Sequence, residues 1–533
     1  MDHRFRDFER PGRSEALGAD GMVATSHPAA TLAGLDVLRA GGNAVDAAVC
    51  AAAMQAVVEP TQTGIGGDCF VLLMRAGDAA PVGLNGSGSA PAGATRDSLL
   101  AKGLREIPVE SPHAVTIPGA IGAWERLVRE HGRFDLARLL APAIAVAEAG
   151  CPVPERLARD WGRQVAKLRR NPAAAAIFLV DGAPPRPGTI HRQPLLAATL
   201  RAIARDGAEA FYRGPVAAAL VRTLRALGGV HTADDFAGYA PEPVTPISVR
   251  YRGYDVWECP PNGQGVVPLM MLNVLDGFDL ARFDPVSTAR YHLLAEIGRQ
   301  AYAERDAIVG DPRSGAVPVA RLLSEAHAAT LRARVSPTGR IVDPLPPVGP
   351  VHRDTVFIAA VDRDRNAVAL INSIYEDFGS GIVCPETGVV LHNRACGFVL
   401  EEGHPNALAP GKRPLHTIIP AMLSKDGEAV MPFGVTGAQF QPFGQVQVLS
   451  NILDHGLPVQ QAIDLPRMFA RGDTFEIEST VPEHVAEALR ALGHTVTRPE
   501  NPLGTAQAIW IDRAAGVLRG GADPRRDGLA LGY

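Results

Sequence analysis

The sequence predicts an α+β protein in which two β-sheets lie between layers of helices. Helical periodicity recurs in the first two thirds of the chain, for example at residues 29–39 and 287–307. In the last third, residues 355–361 and 367–374 are two apolar runs joined by a short polar segment, which predicts a β-hairpin. Both runs are almost continuous in apolar residues, as expected for strands buried on both faces. Two sheets covered on their outer faces by helices would accommodate this set of elements.

The N-terminal part of the chain is predicted to be mainly helical. The first twenty residues are polar, which indicates a loose segment. Gly41 and Gly42 end the first helix, and Asn43 begins a second with Asp46 at the capping-box position. Further helices are predicted at 120–130, 136–148, through most of 195–227, and at 266–275. Strands are predicted at 69–74 and 81–84, and a hairpin at 244–258.

The C-terminal part is predicted to alternate strands and helices. After the hairpin at 355–374, strand-like runs occur at 416–423 and 430–435. The last predicted hairpin joins residues 506–511 and 517–519. Helices are predicted at 445–453, 459–463 and 482–492.

Composition excludes several classes of partner. The chain has 533 residues and a net charge of −5, with no long basic run. Nucleic acid is therefore not expected as a partner, because phosphate binding needs a clustered positive surface. The longest mainly apolar stretch, residues 47–58, is too short to span a bilayer and predicts a buried helix. The N-terminus is charged and has no apolar signal region, so a cytoplasmic location is expected.

No cofactor or metal is predicted. The six cysteines are far apart, form no C-x-x-C pair and are expected to be free thiols. The glycine turn at 86–88 lacks the third glycine of a dinucleotide site. Four histidines that lie in a modest window leave a metal-dependent hydrolase as an alternative, although none forms an H-E-x-x-H pair: His352, His392, His404 and His416.

Thr355 is the candidate nucleophile. It begins an apolar run directly after a Pro- and Gly-rich segment at residues 336–354. A hydroxyl is a weak nucleophile at neutral pH and needs an adjacent base. Cleavage of the peptide bond before Thr355 would provide that base as an α-amine, whose pKa is about 8. The alternative is that Thr355 only initiates a strand.

Seven motifs follow one another along the chain, at residues 38–48, 64–67, 212–215, 354–383, 387–394, 410–414 and 434–438. Together they resemble the γ-glutamyltranspeptidase family, and the resemblance extends across residues 21–533. The resemblance implies an N-terminal-nucleophile hydrolase with a four-layer αββα sandwich, made as a proenzyme that cleaves itself between Asp354 and Thr355. It further implies a large subunit of residues 1–354 and a small subunit of residues 355–533, interleaved in one fold. The resemblance leaves open whether the protein forms higher oligomers.

The same resemblance implies the roles of individual residues. Thr355 is the nucleophile, and its freed amine is the general base. Ser373 matches a hydroxyl that hydrogen-bonds the nucleophile, and Gly437 and Ala438 match the pair whose backbone N–H groups form an oxyanion hole. Asn393 falls in a substrate-binding loop, with a turn-capping asparagine as the alternative.

The departures from the family pattern fall on substrate recognition. Ser87 lies where the family has an arginine, Gly397 where it has an aspartate, and His416–Thr417 where it has two serines. Tyr375 also differs from its counterpart in the transpeptidases. The chemistry is therefore expected to be kept, while specificity for a γ-glutamyl donor is in question.

A second resemblance bears on the substrate. Residues 372–375, 378–381 and 522–528 resemble the oxamate amidohydrolase branch of the family. Such a substrate is a small amide with a carboxylate and no ammonium group, and Arg394, His416 and Thr417 could bind the carboxylate. The alternatives are a structural ion pair for Arg394, a core histidine for His416 and an ordinary strand residue for Thr417. An inactive family member that serves as a scaffold is the third hypothesis.

Overall fold

The computed structural model describes Glu9 and residues 12–341 and 355–533. The strands β1 to β19 are, in chain order, Ala16–Gly18, Met22–Thr25, Asp68–Met74, Val82–Gly86, Cys151–Pro152, Ile190–His191, Glu242–Val244, Ile247–Tyr251, Tyr254–Glu258, Val356–Val361, Ala367–Ser373, Ala421–Lys425, Glu428–Val435, Met468–Arg471, Thr474–Ile477, Thr495–Thr497, Ala506–Asp512, Val517–Ala522 and Leu529–Gly532.

The helices α1 to α19 are, in chain order, Pro28–Arg39, Ala44–Val58, Arg96–Ala101, Ala120–His131, Leu136–Ala149, Glu155–Gly162, Val165–Arg170, Pro172–Phe178, Pro194–Asp206, Ala208–Tyr212, Pro215–Ala226, Ala233–Ala237, Val266–Leu275, Thr288–Ile308, Val319–Leu322, Glu325–Ala333, Gln441–Leu453, Val459–Asp464 and Glu483–Ala491. Short 3-10 turns lie at Pro112–Ala114, Leu280–Arg282, Arg394–Gly397 and Ala438–Phe440.

Two antiparallel seven-stranded sheets form the centre of the molecule. The first has the order β1-β18-β17-β13-β12-β9-β8, and the second has the order β19-β2-β10-β11-β3-β4-β7. A small sheet of β14, β15 and β16 and the pair β5–β6 lie outside them. The nucleophile candidate thus stands at the start of a central strand, with neighbours on both sides.

The cores show that the two sheets are stacked between helices. Along β10, Phe357 and Ala359 belong to the core between the sheets, whereas Ile358 and Ala360 face the other way, into a core shared with helices such as α1, α2 and α4. The outer face of the first sheet packs in a separate core with α13, α14 and α17. The predicted four-layer αββα sandwich is confirmed.

Helix α2 is buried along its whole length and has a capped N-terminus. All of its residues are buried, so it is a central helix rather than an amphipathic surface helix. It begins with the predicted capping box, in which the Asn43 side chain accepts from the Asp46 amide and the Asp46 carboxylate accepts from Asn43 N. The buried start of the helix therefore has partners for its first N–H groups.

The predicted strand at 416–423 is wrong in its first half. The strand begins only at Ala421, and His416 makes an isolated bridge with Gly263. Pro420 explains the difference, because proline has no N–H to give to a sheet ladder. Residues 416–419 therefore lie outside the strand, and all four are buried.

The N-terminal segment is more ordered than predicted. Ala16–Gly18 forms an edge strand paired with β18, although the sequence indicated a loose segment. Its partner is more than 490 residues away in the chain, so local pattern carried no signal for it. The C-terminal strand Leu529–Gly532 was missed for the same reason, since it pairs with β2.

The described residues contain no helix that is long and apolar enough to cross a membrane. All six cysteines are free, as predicted, and four of them are fully buried.

Candidate active site

The Thr355 hydroxyl meets the Ser373 hydroxyl in the interior. Thr355 is 1% exposed and stands directly before β10, which pairs with β11 in the register Val356 to Asn372. This register puts Thr355 beside Ser373, the last residue of β11. Thr355 Oγ1 donates to Ser373 Oγ at 3.2 Å. The predicted cleavage partner Asp354 lies outside the described residues.

Tyr375 fixes the Ser373 hydroxyl from the backbone. Its N–H donates to Ser373 Oγ at 2.9 Å. To do so the residue adopts a φ of 80°, an unfavourable conformation for a bulky side chain. The same conformation places the Tyr375 ring under the guanidinium of Arg394, with 4.1 Å from the Arg394 Cζ to the ring centroid.

Gly437 and Ala438 form a left-handed turn between β13 and α17. Their φ angles are 113° and 47°, and such a conformation suits glycine but is strained for alanine. Neither N–H donates a hydrogen bond to any residue that the structure describes. Gln264 ties this turn to the rest of the site, because its Nε2 donates both to Ala438 O and to Thr417 O.

Arg394 is connected to Thr355 through Ser373. Its side chain is fully buried; Nη1 donates to Thr417 Oγ1 at 2.7 Å, and Nη2 donates to Ser373 Oγ at 3.3 Å. Arg394, Thr417, Tyr375 and Ser373 were all proposed from the sequence, and the structure brings them together around Thr355.

Asp68 is a member of this cluster that the sequence did not reveal. It is fully buried at the start of β3, and its Oδ2 lies 3.0 Å from His416 Nε2, 3.3 Å from His392 Nδ1 and 3.7 Å from Arg394 Nε. The available signal was a carboxylate at the head of an apolar strand, since aspartate is seldom fully buried without a partner.

Burial controls the charges in the cluster. Burial lowers the pKa of Arg394 to about 10, and the neighbouring Asp68 opposes that shift. Burial also lowers the pKa of His416 to about 3, so this imidazole is neutral near pH 7. Burial alone would raise the pKa of Asp68, but His392 and His416 outweigh it and hold the carboxyl below its usual range. The cluster thus places a protonated guanidinium beside an ionised carboxylate.

The surroundings of His416 are those of a core histidine rather than of an exposed substrate-binding residue. Besides Asp68, its ring lies 4.8 Å from the ring of Phe70, between centroids. His392, in turn, contacts Thr116 through Nε2, at 2.9 Å from the carbonyl oxygen.

Two further predicted residues lie at the border of the cluster. Asn393 is buried and accepts from Glu376 N at 3.3 Å, so it braces the turn after Tyr375. Ser87 is also buried; its hydroxyl donates to Asn85 Oδ1 at 2.7 Å and accepts from Asn262. No contact among the described residues joins Ser87 to Thr355.

A cavity of about 1190 Å³ opens beside the cluster. Tyr375, Thr417 and Gln439 are among the residues that line it. Arg305 lies in the same wall and is held by Gln264 and Gln439. A small molecule in this cavity would therefore meet Tyr375 and Thr417, which contact Arg394, and Gln439, which follows the left-handed turn.

Four histidines underlie the metal alternative. Among those that the structure describes, His392 and His416 both contact Asp68, while His404 accepts from Asn406 N. His352 lies outside the described residues. Elsewhere in the described residues, His292, Glu296 and His494 have ligand atoms within 4.8 Å of one another. Arg299 already contacts Glu296 at 3.2 Å, which disfavours a cation there.

Known proteins share this architecture over their full length. A proenzyme from Bacillus subtilis (strain 168), named glutathione hydrolase-like YwrD, is 38% identical and matches 97% of this chain and 99% of its own. The oxamate amidohydrolase proenzyme of Klebsiella pneumoniae is 36% identical over 98% of this chain and 100% of its own. A solved structure, cephalosporin acylase from Bacillus halodurans, superposes with a TM-score of 0.91 at 39% identity, covering 100% of this chain and 99% of that one.

The family comparison agrees with these relatives. The sequence model described as Gamma-glutamyltranspeptidase matches residues 30–533, which includes every residue of the cluster around Thr355. The predicted resemblance is confirmed, and the chain belongs to the gamma-glutamyltranspeptidase family of hydrolases and acylases.

Proposed function

We propose that this protein is a self-cleaving amide hydrolase whose nucleophile is the hydroxyl of Thr355. The observation that carries the proposal is the 3.2 Å hydrogen bond between Thr355 Oγ1 and Ser373 Oγ in a buried site. The left-handed turn at Gly437 and Ala438 supports it, because its two N–H groups have no acceptor among the described residues. Relatives that are named proenzymes support the self-cleavage.

Maturation would use the same hydroxyl as catalysis. Thr355 Oγ1 attacks the carbonyl carbon of Asp354, the C–N bond breaks, and the nitrogen of Thr355 takes the proton that the hydroxyl loses. Water then hydrolyses the resulting ester, which restores the hydroxyl and leaves an acid on residue 354. The products are the subunits 1–354 and 355–533.

The freed amine would then serve as the base in turnover. It accepts the hydroxyl proton while Oγ1 attacks the substrate carbonyl, and the negative oxygen is stabilised by the N–H groups of Gly437 and Ala438. The leaving amine takes the proton, and the acyl group stays on Thr355 as an ester. Attack by water releases the acid, whereas attack by an amine completes a transfer.

Electrophoresis of purified protein tests this proposal against the inactive-scaffold alternative. Wild type should convert from one chain to two fragments and then hydrolyse amides. Thr355→Ala should stay intact and inactive, while Thr355→Ser, which keeps a hydroxyl, should still cleave. A wild-type chain that stays whole on prolonged incubation would favour the scaffold.

The acyl donor has two candidates. The first relative's name points to glutathione-type γ-glutamyl amides, and the second relative's name points to oxamate. The position of Arg394 beside Ser373 favours a substrate with a carboxylate close to its amide. Ammonia release from oxamate, measured beside anilide release from a γ-glutamyl anilide, separates the two.

A further inference from the structure

We propose that Gln264 is a positioning residue for the oxyanion hole and that Arg305 sets the direction of its side-chain amide. This inference rests on the proposed function, because it takes the N–H groups of Gly437 and Ala438 as the donors to the negative oxygen. It adds to that function the residues that hold those donors in place. Gln264 acts through the turn, so it need not touch the substrate.

The turn at Gly437 and Ala438 needs support from outside. Ala438 has a φ of 47°, which costs an L-residue about 1–2 kcal/mol. A return of Ala438 to a negative φ would rotate the peptide groups beside it, and one of these carries the Ala438 N–H. Strained conformations persist only where the surrounding structure holds them. The contacts that hold the carbonyl groups of this turn therefore decide where its N–H groups point.

Both peptide groups beside Ala438 are held through their carbonyl oxygens. Gly437 O, in the peptide group that carries the Ala438 N–H, accepts from Phe440 N at 2.9 Å. Ala438 O, in the next peptide group, accepts from Gln441 N and, at 2.9 Å, from Gln264 Nε2. The bonds from Phe440 and Gln441 lie within the turn and its helix, whereas the bond from Gln264 comes from another segment. Gln264 thus anchors the turn to the rest of the site.

Gln264 is itself fixed on the segment that carries Thr417. The side chain is fully buried, and the backbone N–H donates to His416 O at 2.9 Å. Its Nε2 donates to Thr417 O at 2.8 Å as well as to Ala438 O. One amide nitrogen therefore joins the left-handed turn to the residue whose hydroxyl accepts from Arg394.

Arg305 determines which end of the Gln264 amide meets the two carbonyl oxygens. A guanidinium has donors only, so the Gln264 atom at 2.7 Å from Arg305 Nη1 is the amide oxygen. The amide nitrogen then faces the carbonyl oxygens, to which it donates. Arg305 Nη1 also donates to Gln439 Oε1, and the Asp306 carboxylate lies 2.6 Å from Arg305 Nη2. The direction of the amide is thus set by a paired cation.

Tyr302 supports the same turn from helix α14. It lies one helical turn before Arg305, whose Cζ is 4.5 Å from the centroid of the tyrosine ring. The Tyr302 hydroxyl donates to Gln439 O, the carbonyl that follows Ala438. Burial raises the pKa of Tyr302, so the hydroxyl stays protonated and can donate. A rigid helix and Gln264 therefore hold consecutive carbonyl groups of the turn.

Two replacements of similar volume test the role of Gln264. Gln264→Met removes the donor, and Gln264→Glu places an oxygen opposite two carbonyl oxygens. A side chain that only fills space would tolerate both. We expect kcat to fall about 100-fold in each, because a misplacement of about 1 Å costs this much and one oxyanion donor contributes at least as much. KM should change less than about threefold, measured with whichever of oxamate and a γ-glutamyl anilide wild type hydrolyses.

Gln447→Met is the matched control. Gln447 is 2% exposed, and its Nε2 also donates to two backbone oxygens, Phe443 O at 3.0 Å and Met468 O at 2.9 Å. It holds α17 to β14 and makes no contact with the Gly437–Ala438 turn among the described residues. The control should lose a similar amount of unfolding free energy and keep kcat within about threefold of wild type. A similar fall of kcat in the control would overturn the inference.

Crystal structures of uncleaved protein provide a test that needs neither maturation nor turnover. Thr355→Ala should keep Ala438 in the left-handed conformation, whereas Thr355→Ala/Gln264→Met should show it at a negative φ. An unchanged Ala438 in the double variant, or wild-type kcat in mature Gln264→Met and Gln264→Glu, would overturn the inference. Failure of the underlying function looks different, because wild type would then remain a single chain or Thr355→Ala would retain activity.

Discussion

The two ends of the candidate active site differ in the kind of side chain that forms them. At the end that holds the proposed nucleophile, Thr355 and Ser373 are neutral hydroxyls held by two neighbouring strands and by one backbone N–H. At the other end, Asp68 and Arg394 form a buried ion pair with His392 and His416, and these residues come from three separate segments.

This difference suggests how chemistry and selectivity are divided. The hydroxyl pair follows from the register of one hairpin, so its geometry resists change as long as β10 and β11 pair. The charged cluster depends on every member being present, because one buried charge without its partner is strongly unfavourable. Substitutions at the two ends should therefore fail in different ways.

The largest effect is expected at Thr355, the proposed nucleophile. Thr355→Ala should abolish self-cleavage and lower amide turnover by about 10⁴-fold or more, because it removes the hydroxyl that is proposed to form the ester. Stability should change little, since only a small side chain is removed. Gel electrophoresis measures the self-cleavage, and an ammonia assay measures the amide turnover. Turnover within tenfold of wild type would show that the nucleophile lies elsewhere.

Removal of one charge at the opposite end of the site should destabilise the folded protein. Arg394→Met leaves Asp68 buried without its cation and should lower the free energy of unfolding by about 3–5 kcal/mol. The double variant Asp68→Asn/Arg394→Met should recover part of that loss, because no uncompensated charge stays buried. Chemical denaturation of the uncleaved Thr355→Ala background avoids differences in maturation. Additive losses in the double variant would argue against coupling.

Ser373 connects the two ends and should give an intermediate effect. Ser373→Ala removes the acceptor of Thr355, Tyr375 N and Arg394 Nη2, and a lost buried hydrogen bond costs about 1–3 kcal/mol. We expect roughly 10–100-fold lower kcat and slower self-cleavage. Ser380→Ala is a suitable control, since its hydroxyl donates to Leu391 O instead. Equal effects of the two substitutions would contradict a special role for Ser373.

The pH dependence of stability should report on His416. Its pKa is about 3 in the folded protein and about 6.5 when unfolded, so between these values the unfolded state binds the extra proton. Stability contributed by the neutral imidazole is present above pH 6.5 and is lost as the pH falls toward 3. His416→Asn should reduce the slope of unfolding free energy against pH, between pH 4 and 6, by about 1.4 kcal/mol per pH unit. An unchanged slope would mean that His416 is not held neutral.

The smallest effect is expected at the left-handed turn. Ala438 has a φ of 47°, which costs an L-residue about 1–2 kcal/mol, while glycine adopts it freely but loses more entropy on folding. Ala438→Gly should therefore stabilise the protein by up to about 1 kcal/mol and keep the N–H for the oxyanion. Denaturant unfolding and kcat measure the two properties. A loss of more than tenfold in kcat would show that the Ala438 methyl group contributes to positioning.

The comparison of the two ends also explains what the sequence could predict. Thr355 and Ser373 lie on one hairpin whose apolar runs are evident in the sequence, and the motif resemblance supplied their roles. Asp68 was missed because its partners, Arg394 and His416, are more than 300 residues away and no local pattern joins them. The wrong strand start at 416 has a local cause in Pro420, whereas the edge strands Ala16–Gly18 and Leu529–Gly532 depend on distant pairing.

The most direct test is N-terminal sequencing of the smaller fragment of the purified wild-type protein. Scission at the proposed bond predicts a polypeptide of residues 355–533 that begins Thr-Val-Phe. Any other N-terminus, or a blocked threonine that cannot act as a base, would contradict Thr355 as both nucleophile and proton acceptor.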